Sequence, residues 1–493
     1  MVTGCGGYRS AQLSPLRPGG ARPLRSLAHE PGAAAGALFR QLDSKIMAAM
    51  VRCAIPGAAV AVYLRGQEHI RGFGVTDVRH PSRVDGDTLF RVGSTTKTFT
   101  GTAAMRLVAA GQLELDGEVR RYLPGFQAPP GAEAVTVRQL LNHTAGWLGD
   151  QFADTGRGAS ALPRYVARMR SLPQLTPAGQ VFSYNNAALA LAGQVVAQVS
   201  GRAYEYAVRD LLLRPLGLRR SFFFSDEIIG YTVAVPHATV NGTVTALPRS
   251  WRVPRSLNPA GGLVASAGDL LAWARFHLGD GRAPDGTRLL PPELLAGMRS
   301  PAGPGGTIIT ELTGMGVSWM LRPTAQGAVV MQHGGHWPGQ ISGFLLVPGE
   351  QFALALLTNS ESASPLVNEL FAGDWALRLF TGLTNLPAPE RSLSRAELAP
   401  YLGRYVLQQV DAAGRLIKTP PVTLTAADGG LYLTAGQGQA SLLTFYDSPR
   451  GAGHVLLREA DGTPRGTRAD FLAGPAGQVR WLRLGGRLLR HVS

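Results

Sequence analysis

Two pairs of alternating apolar segments lie far apart in this chain, with a mostly helical block between them, and this arrangement implies one discontinuous α+β unit. In the first pair, Gly57 to Arg65 carries Val60, Val62 and Leu64 in the alternation of a half-buried strand. Gly66-Gln67 then reads as a hairpin turn into a second strand reaching Gly74. The second pair is Ile341 to Val347 and Phe352 to Thr358, joined by Pro348-Gly349. A helix is expected from Gly36 to Val51, ahead of the first pair, and another from Leu366 to Phe380, after the second. Inside the block, Thr136-Val-Arg-Gln139 and Ser266-Ala-Gly-Asp269 resemble capping boxes that would start helices. The expected fold class is α+β, an antiparallel sheet flanked by helices with an all-helical lobe.

At 493 residues, with 45% hydrophobic and 16% charged residues, the chain exceeds one ordinary domain and is able to bury a large core. Asn385-Leu-Pro-Ala-Pro-Glu-Arg-Ser392 is proline-rich and reads as a linker. Beyond it, short alternating runs such as Val422-Thr-Leu424 and Leu431-Tyr-Leu433, with turns at Asp428-Gly-Gly430 and Asp461-Gly462, argue for a small antiparallel β domain. The expected division is a disordered leader over 1–33, a main domain over 34–383, a linker over 384–395 and the β domain over 396–493. Residues 1 to 33 lack the continuous apolar run of a secretory signal, so the chain reads as cytoplasmic as it stands. A start assigned too far upstream would leave a periplasmic or secreted location open.

The net charge of +15 permits contact with polyanions, but the arginines are scattered and not interleaved with aromatics, which argues against nucleic acid as a partner. No apolar run is long enough to span a membrane. Cys5 and Cys53 cannot make a disulfide framework.

Of the 48 basic residues only Lys45, Lys97 and Lys418 are lysines, and Lys97 follows Ser94 by three positions. Arginine replaces lysine wherever charge alone is wanted, but it does not give up a proton, so a lysine retained in such a chain is a candidate base. Phe99, Ala103 and Leu107 repeat at helical spacing after it, and positions i and i+3 share a helix face, which brings the Ser94 hydroxyl within reach of the Lys97 amine. Serine beside a base is an activated nucleophile, and a helix N-terminus favours a developing oxyanion and a lowered amine pKa.

Tyr184-Asn185-Asn186 precedes a helical run and supplies a second proton-carrying group. A phenol near a lysine ammonium is expected to have a lowered pKa and to exchange protons with a serine, while Asn186 orients the lysine and a substrate amide. Gln332-His333-Gly334-Gly335-His336 stands just before the Ile341 strand, where Gly334 and Gly335 let a substrate backbone approach the strand edge. The backbone N–H groups of Ser94 and His336 are the expected oxyanion hole. His333 and His336 lack a third ligand, so no metal is expected.

These motifs, with Ile55-Pro-Gly-Ala-Ala-Val60, Asp87-Thr-Leu-Phe-Arg-Val-Gly-Ser94, Val137-Arg-Gln-Leu-Leu-Asn-His-Thr-Ala-Gly146 and Asn258-Pro-Ala-Gly-Gly262, resemble the penicillin-recognising serine hydrolases. The resemblance runs from about Ala34 to Phe380, to the branch holding class C β-lactamases, D-aminopeptidases, DD-carboxypeptidases and family VIII esterases. It implies an acyl-enzyme mechanism on an amide, ester or lactam carbonyl of a small-molecule or peptide substrate, with no metal or organic cofactor. Ser94 would attack, Lys97 and Tyr184 would pass its proton to the leaving group, and water activated by Tyr184 would release the acyl group. Tyr401-Leu-Gly-Arg-Tyr405 and the alternation after it resemble a lipocalin-like accessory domain, which makes a barrel-like fold the expectation there.

The chain departs from the β-lactamases and penicillin-binding proteins in having no Lys-[Ser/Thr]-Gly, since Ile46 follows Lys45 and Thr419-Pro420 follows Lys418. His333 is left to contact a substrate carboxylate, and a histidine is mostly neutral at pH 7. This favours D-aminopeptidase-like or esterase-like activity over efficient β-lactam turnover. The alternatives are a true class C-type β-lactamase or DD-carboxypeptidase, and a slow or silent penicillin-binding sensor.

Overall fold

The computed structural model describes residues 33–427, 430–436, 438–451, 453–458 and 464–492. Residues 1–32 of the expected leader and the turn residues Asp428, Gly429, Asp461 and Gly462 lie outside the described residues.

The two distant strand pairs do meet. Strand β1 (Gly57–Leu64) pairs with β2 (Gln67–Gly74) on one side and with Phe352–Thr358 on the other, and the sheet continues through residues 340–347 to the strands before them. Those strands are β3 (Gly314–Met315), β4 (Met320–Pro323), β5 (Val329–Gln332), β6 (Gly335–Trp337), β7 (Gln340–Val347) and β8 (Phe352–Thr358). The order is β3-β4-β5-β7-β8-β1-β2, all antiparallel, with β6 pairing onto the end of β7 through Gly335 opposite Ser342. The hairpin turn sits one residue earlier than expected, at Arg65 (φ 48°) and Gly66 (φ 90°), the left-handed pair of a type I′ turn.

The alternation in β1 sorts its side chains between two cores. Ala58, Val60 and Val62 pack under helix α1 (Ala33–Arg52), with Phe39, Leu42 and Ile46. Ala59 and Ala61 face the opposite side with the large cluster that includes Trp273. The strand is therefore buried on both faces, not half-buried, because helices cover both sides of the sheet. Small alanines suit the second face, where a helix over Ala267–Leu278 packs directly on β1 and β8.

Helix α2 (Thr96–Ala109) and helix α3 (Asn186–Ser200) form the centre of the helical lobe, packed on each other, and α4 (Ala267–Leu278) carries Trp273, which stacks 4.0 Å from Phe99 of α2. Thr136 and Gln139 form a complete capping box. At α4 only half of one forms, since Ser266 accepts from the Asp269 N–H while the Asp269 carboxylate is taken by Arg220 N and Ser221 Oγ. The expected helix over Leu366 to Phe380 is broken at Gly373, whose extended backbone (ψ 179°) separates Ser364–Ala372 from Trp375–Thr381.

The C-terminal strands are β9 (Gly403–Val406), β10 (Val422–Ala427), β11 (Gly430–Ala435), β12 (Ser441–Tyr446), β13 (His454–Arg458), β14 (Pro464–Ala473), β15 (Val479–Leu484) and β16 (Arg487–Val492). They run in the order β12-β11-β10-β9-β16-β15-β14-β13, and β13 pairs back onto β12 to close an eight-stranded antiparallel barrel. Tyr405, Leu424, Leu443, Phe445 and Leu482 fill it. The proline-rich segment ahead of it is tied down: Glu390–Arg391 adds to the outer end of β12, Asn385 donates to Ala372 O, and Leu386 O accepts from Arg468.

Candidate active site

Ser94 lies in a single 3₁₀ turn, Gly93–Thr95, that runs straight into α2, so Lys97 falls one turn further along the same helix face. The Lys97 amine is fully buried and lies 3.0 Å from Ser94 Oγ. It donates 2.6 Å to the carbonyl oxygen of Ala260, in the short Asn258–Gly261 helix. Burial pushes its pKa well below the ordinary lysine value, the charge of Arg487 pushes further in the same direction, and Asp150 opposes both.

Tyr184 sits immediately ahead of α3, with its ring 4.9 Å from the Lys97 amine and its hydroxyl hydrogen-bonded to the Ser94 side chain. Its pKa moves up, against the lowering expected from sequence, because burial outweighs the bond to Ser94 and the nearby Arg487 charge. The phenol is therefore held in its protonated form, while the amine beside it is shifted toward its neutral form. Asn186 differs too: its amide donates 2.9 Å to Asp150 Oδ1, and the lysine is oriented by a backbone carbonyl instead.

Close backbone approach brings the expected oxyanion donors together. Gly335 of β6 lies so near the Ser94 turn that an added Cβ would come 1.9 Å from Val92 O, and a Cβ on Gly93 (φ +51°) would come 2.8 Å from His336 N. The N–H groups of Ser94 and His336 thus stand on adjoining backbone. Ser94, Gly334, Gly335 and His336 line one cavity of about 810 Å³.

His333 is placed differently from the expectation. Its side chain is completely buried, and the cavity wall is formed by its neighbours Gln332 and Gly334. Its Nδ1 pairs with Gly334 O at 2.8 Å, its Nε2 is buried with no hydrogen-bond partner among the described residues, and its ring centroid is 6.1 Å from that of Tyr184. Burial, reinforced by Lys97, lowers its pKa to about 3. A neutral, enclosed imidazole is not placed to meet a substrate carboxylate.

Two further groups complete the surroundings. His143, at φ +61°, stacks its ring 4.6 Å from Tyr184 and accepts the Asn185 N–H on Nδ1 at 3.0 Å. The Asn-His-Thr run flagged the segment without giving the histidine a role. Arg487, from the start of β16, lines the cavity with its guanidinium 5.0 Å from the Tyr184 ring, paired to Asp150 at 2.5 Å. One arginine among many gives no such signal in sequence.

A family model described as Beta-lactamase matches residues 39–375. Penicillin-binding protein 4 of Amycolatopsis lactamdurans is 36% identical over 355 residues, 71% of this chain and 93% of that protein. Unguisins hydrolase ungD of Aspergillus violaceofuscus is 25% identical over 87% of this chain and 85% of its own length. Among solved structures, SurE superposes with a TM-score of 0.72 at 28% identity, covering 93% of this chain and 100% of that one, barrel included.

Proposed function

The chain belongs to the beta-lactamase family, and from that premise we propose that it is a serine hydrolase working through an acyl-enzyme on Ser94. The observation that carries this reading is the buried Lys97 amine, held 3.0 Å from Ser94 Oγ by Ala260 O beneath an open cavity. An amine whose pKa burial has lowered takes the Ser94 proton as Oγ bonds to the substrate carbonyl carbon. The negative oxygen that forms is held by the N–H groups of Ser94 and His336. As the carbon's bond to the leaving group breaks, the proton passes through Lys97 and the Tyr184 hydroxyl to the departing atom. Water then attacks the ester with Lys97 again as base, releasing the acid and restoring Ser94.

The cavity wall favours an apolar substrate of some size, since Phe152, Leu257, Ile308, Met320, Trp337 and Ile341 line it. With no Lys-[Ser/Thr]-Gly in the chain and His333 enclosed, a β-lactam carboxylate lacks its usual partner. The substrate class supported best is an amide or ester processed in the manner of a D-aminopeptidase or esterase. Similarity to a penicillin-binding protein keeps slow acylation by penicillin as the second reading.

The test is intact-protein mass spectrometry after brief exposure to a fluorophosphonate, a short-chain p-nitrophenyl ester and a penicillin, with Ser94→Ala as control. Adducts on wild type alone, with ester turnover and a slow penicillin adduct, are the expected result. No adduct with any probe would end the hydrolase reading, and fast penicillin turnover would reverse the substrate preference.

A further inference from the structure

The β15–β16 turn of the barrel reaches into the site just described. Gly486 O accepts the Tyr184 N–H at 2.8 Å, and Arg483 Nη1 donates to Phe182 O at 2.8 Å, so the hairpin grips the backbone on both sides of Ser183. Gly486 (φ +78°) sits in the left-handed region and close against the site, since a Cβ there would come 3.1 Å from the side chain of Ile308 and 3.3 Å from that of Tyr184. Arg487 pairs with Asp150, which also accepts from Asn186 two residues after the tyrosine. A second excursion of the C-terminal segment, the hairpin Gln408–Val410 with Leu416–Lys418, holds Asp150 from behind: Val410 N donates to Asp150 O, and Phe152 N to Val410 O, both at 2.8 Å.

We propose that the barrel supplies part of the catalytic site, with Arg487 as a positioning residue that fixes the Tyr184–Asn186 segment and sets the charge around Lys97. This role rests on the serine-hydrolase reading and adds to it the source of the working charge. The Lys97 amine is faced by the side chains of Ser94 and Tyr184, by the imidazoles of His143 and His333, and by the Asp150–Arg487 pair. Of these, Asp150 and Arg487 are the fixed opposite charges, one favouring and one opposing protonation of the amine. Without Arg487 the carboxylate would face Lys97 uncompensated and hold it as an ammonium, which cannot accept the Ser94 proton. The pair is geometrically suited to be a setting device: its carboxylate side is 6% exposed and rigidly held, and its guanidinium side, 31% exposed, opens on the cavity where substrate enters. A barrel that undocked would therefore take both the Tyr184 anchor and the compensating cation with it.

The experiment measures the rate of fluorophosphonate labelling of Ser94 in the full chain between pH 5 and pH 10. In wild type the rate falls toward acid as Lys97 protonates. In Arg487→Gln the midpoint of that acid limb is expected to move up by about one pH unit, slowing labelling about tenfold at pH values below it. In Asp150→Asn the midpoint moves down, because the cation then acts alone. Arg487→Lys restores the wild-type limb. A well-folded Arg487→Gln protein with the wild-type limb overturns the proposal, and should that variant not fold, an unmoved limb in Asp150→Asn does the same. Failure of wild type to label at Ser94 would instead remove the hydrolase reading beneath it.

Discussion

Arginine at position 97 would keep a cation where lysine stands and yet could not take a proton from Ser94, so Lys97→Arg separates charge from basicity. Loss of a positioned general base is worth about 10²- to 10⁴-fold. Ester hydrolysis by Lys97→Arg is expected to fall within that range, and activity within a few-fold of wild type would remove Lys97 as the base. His333 makes a different prediction. Its folded pKa of about 3 lies below the ordinary histidine value of 6.5, so between these values the unfolded chain binds a proton that the folded chain refuses. Stability from this group is complete above pH 6.5 and lost as pH falls toward 3, at up to about 1.4 kcal/mol per pH unit. In His333→Gln, urea unfolding at pH 6.5 and pH 4.5 should show a smaller loss on acidification, and an identical loss would mean the imidazole is not held neutral. Ser94, Lys97 and Tyr184, which the structure brings together, were singled out as candidates in sequence because each is a reactive side chain in an uncommon setting. The Ala260 carbonyl was not, because a backbone group carries no residue-type signature. His333 was misread because sequence shows which residue follows β5, not which way its ring turns.

The strands and the first helix were readable to within a few residues because their apolar periods match their final burial, as β1 shows with Ala59 and Ala61 on one face and Val60 and Val62 on the other. The break at Gly373 was hidden by apolar residues that continue at helical spacing on both sides of it. Contacts between elements were harder to foresee, and the junction of α3 with the Asn258–Gly261 helix is the one that holds the Lys97 amine. Gly193 of α3 lies so close to this helix that an added Cβ would come 2.2 Å from Pro259 Cγ. Proline is a rigid neighbour, and its carbonyl already accepts from Thr100 at 2.7 Å. Alanine in a helix gains about 1 kcal/mol over glycine, whereas overpacking of this kind costs about 1–3 kcal/mol. Gly193→Ala is therefore expected to be destabilising by urea unfolding. Labelling of Ser94 should slow as well, since Pro259 cannot move without shifting the Ala260 carbonyl that holds Lys97. Gains in both stability and labelling rate would show that the junction yields without effect.

Across the whole molecule, a separate antiparallel β domain was legible from its alternating strands and its barrel form from the resemblance, but its docking was not. The residues that make the contact are mostly charged, and charged residues in isolation read as solvent-exposed. Glu311, 3% exposed, accepts from Arg468 Nη1 and Tyr446 Oη at 3.0 Å and from Ser448 Oγ at 2.8 Å, joining the strip ahead of β3 to the barrel. Asp470 and Arg483, each 4% exposed at the side chain, pair on the barrel wall where Arg483 reaches Phe182. Some of the chain's arginines are thus used inside the molecule, paired with carboxylates, and not on its surface. Removing one partner of a buried pair leaves the other charged and unsolvated, at about 3–5 kcal/mol. Glu311→Ala strands the Arg468 guanidinium in this way, whereas Glu311→Gln keeps an acceptor for Tyr446 and Ser448 and should lose less. The barrel closes on itself with no strand edge left by the main sheet, so it retains its own core when docking weakens. Calorimetry of wild type is accordingly expected to give one endotherm, and of Glu311→Ala two, the earlier marking separation of barrel from hydrolase. Because the β15–β16 turn anchors Tyr184, Ser94 labelling should be lost at that first transition, before the hydrolase core itself melts. An unsplit endotherm at the wild-type temperature would mean that the charged contact is not what couples the two parts.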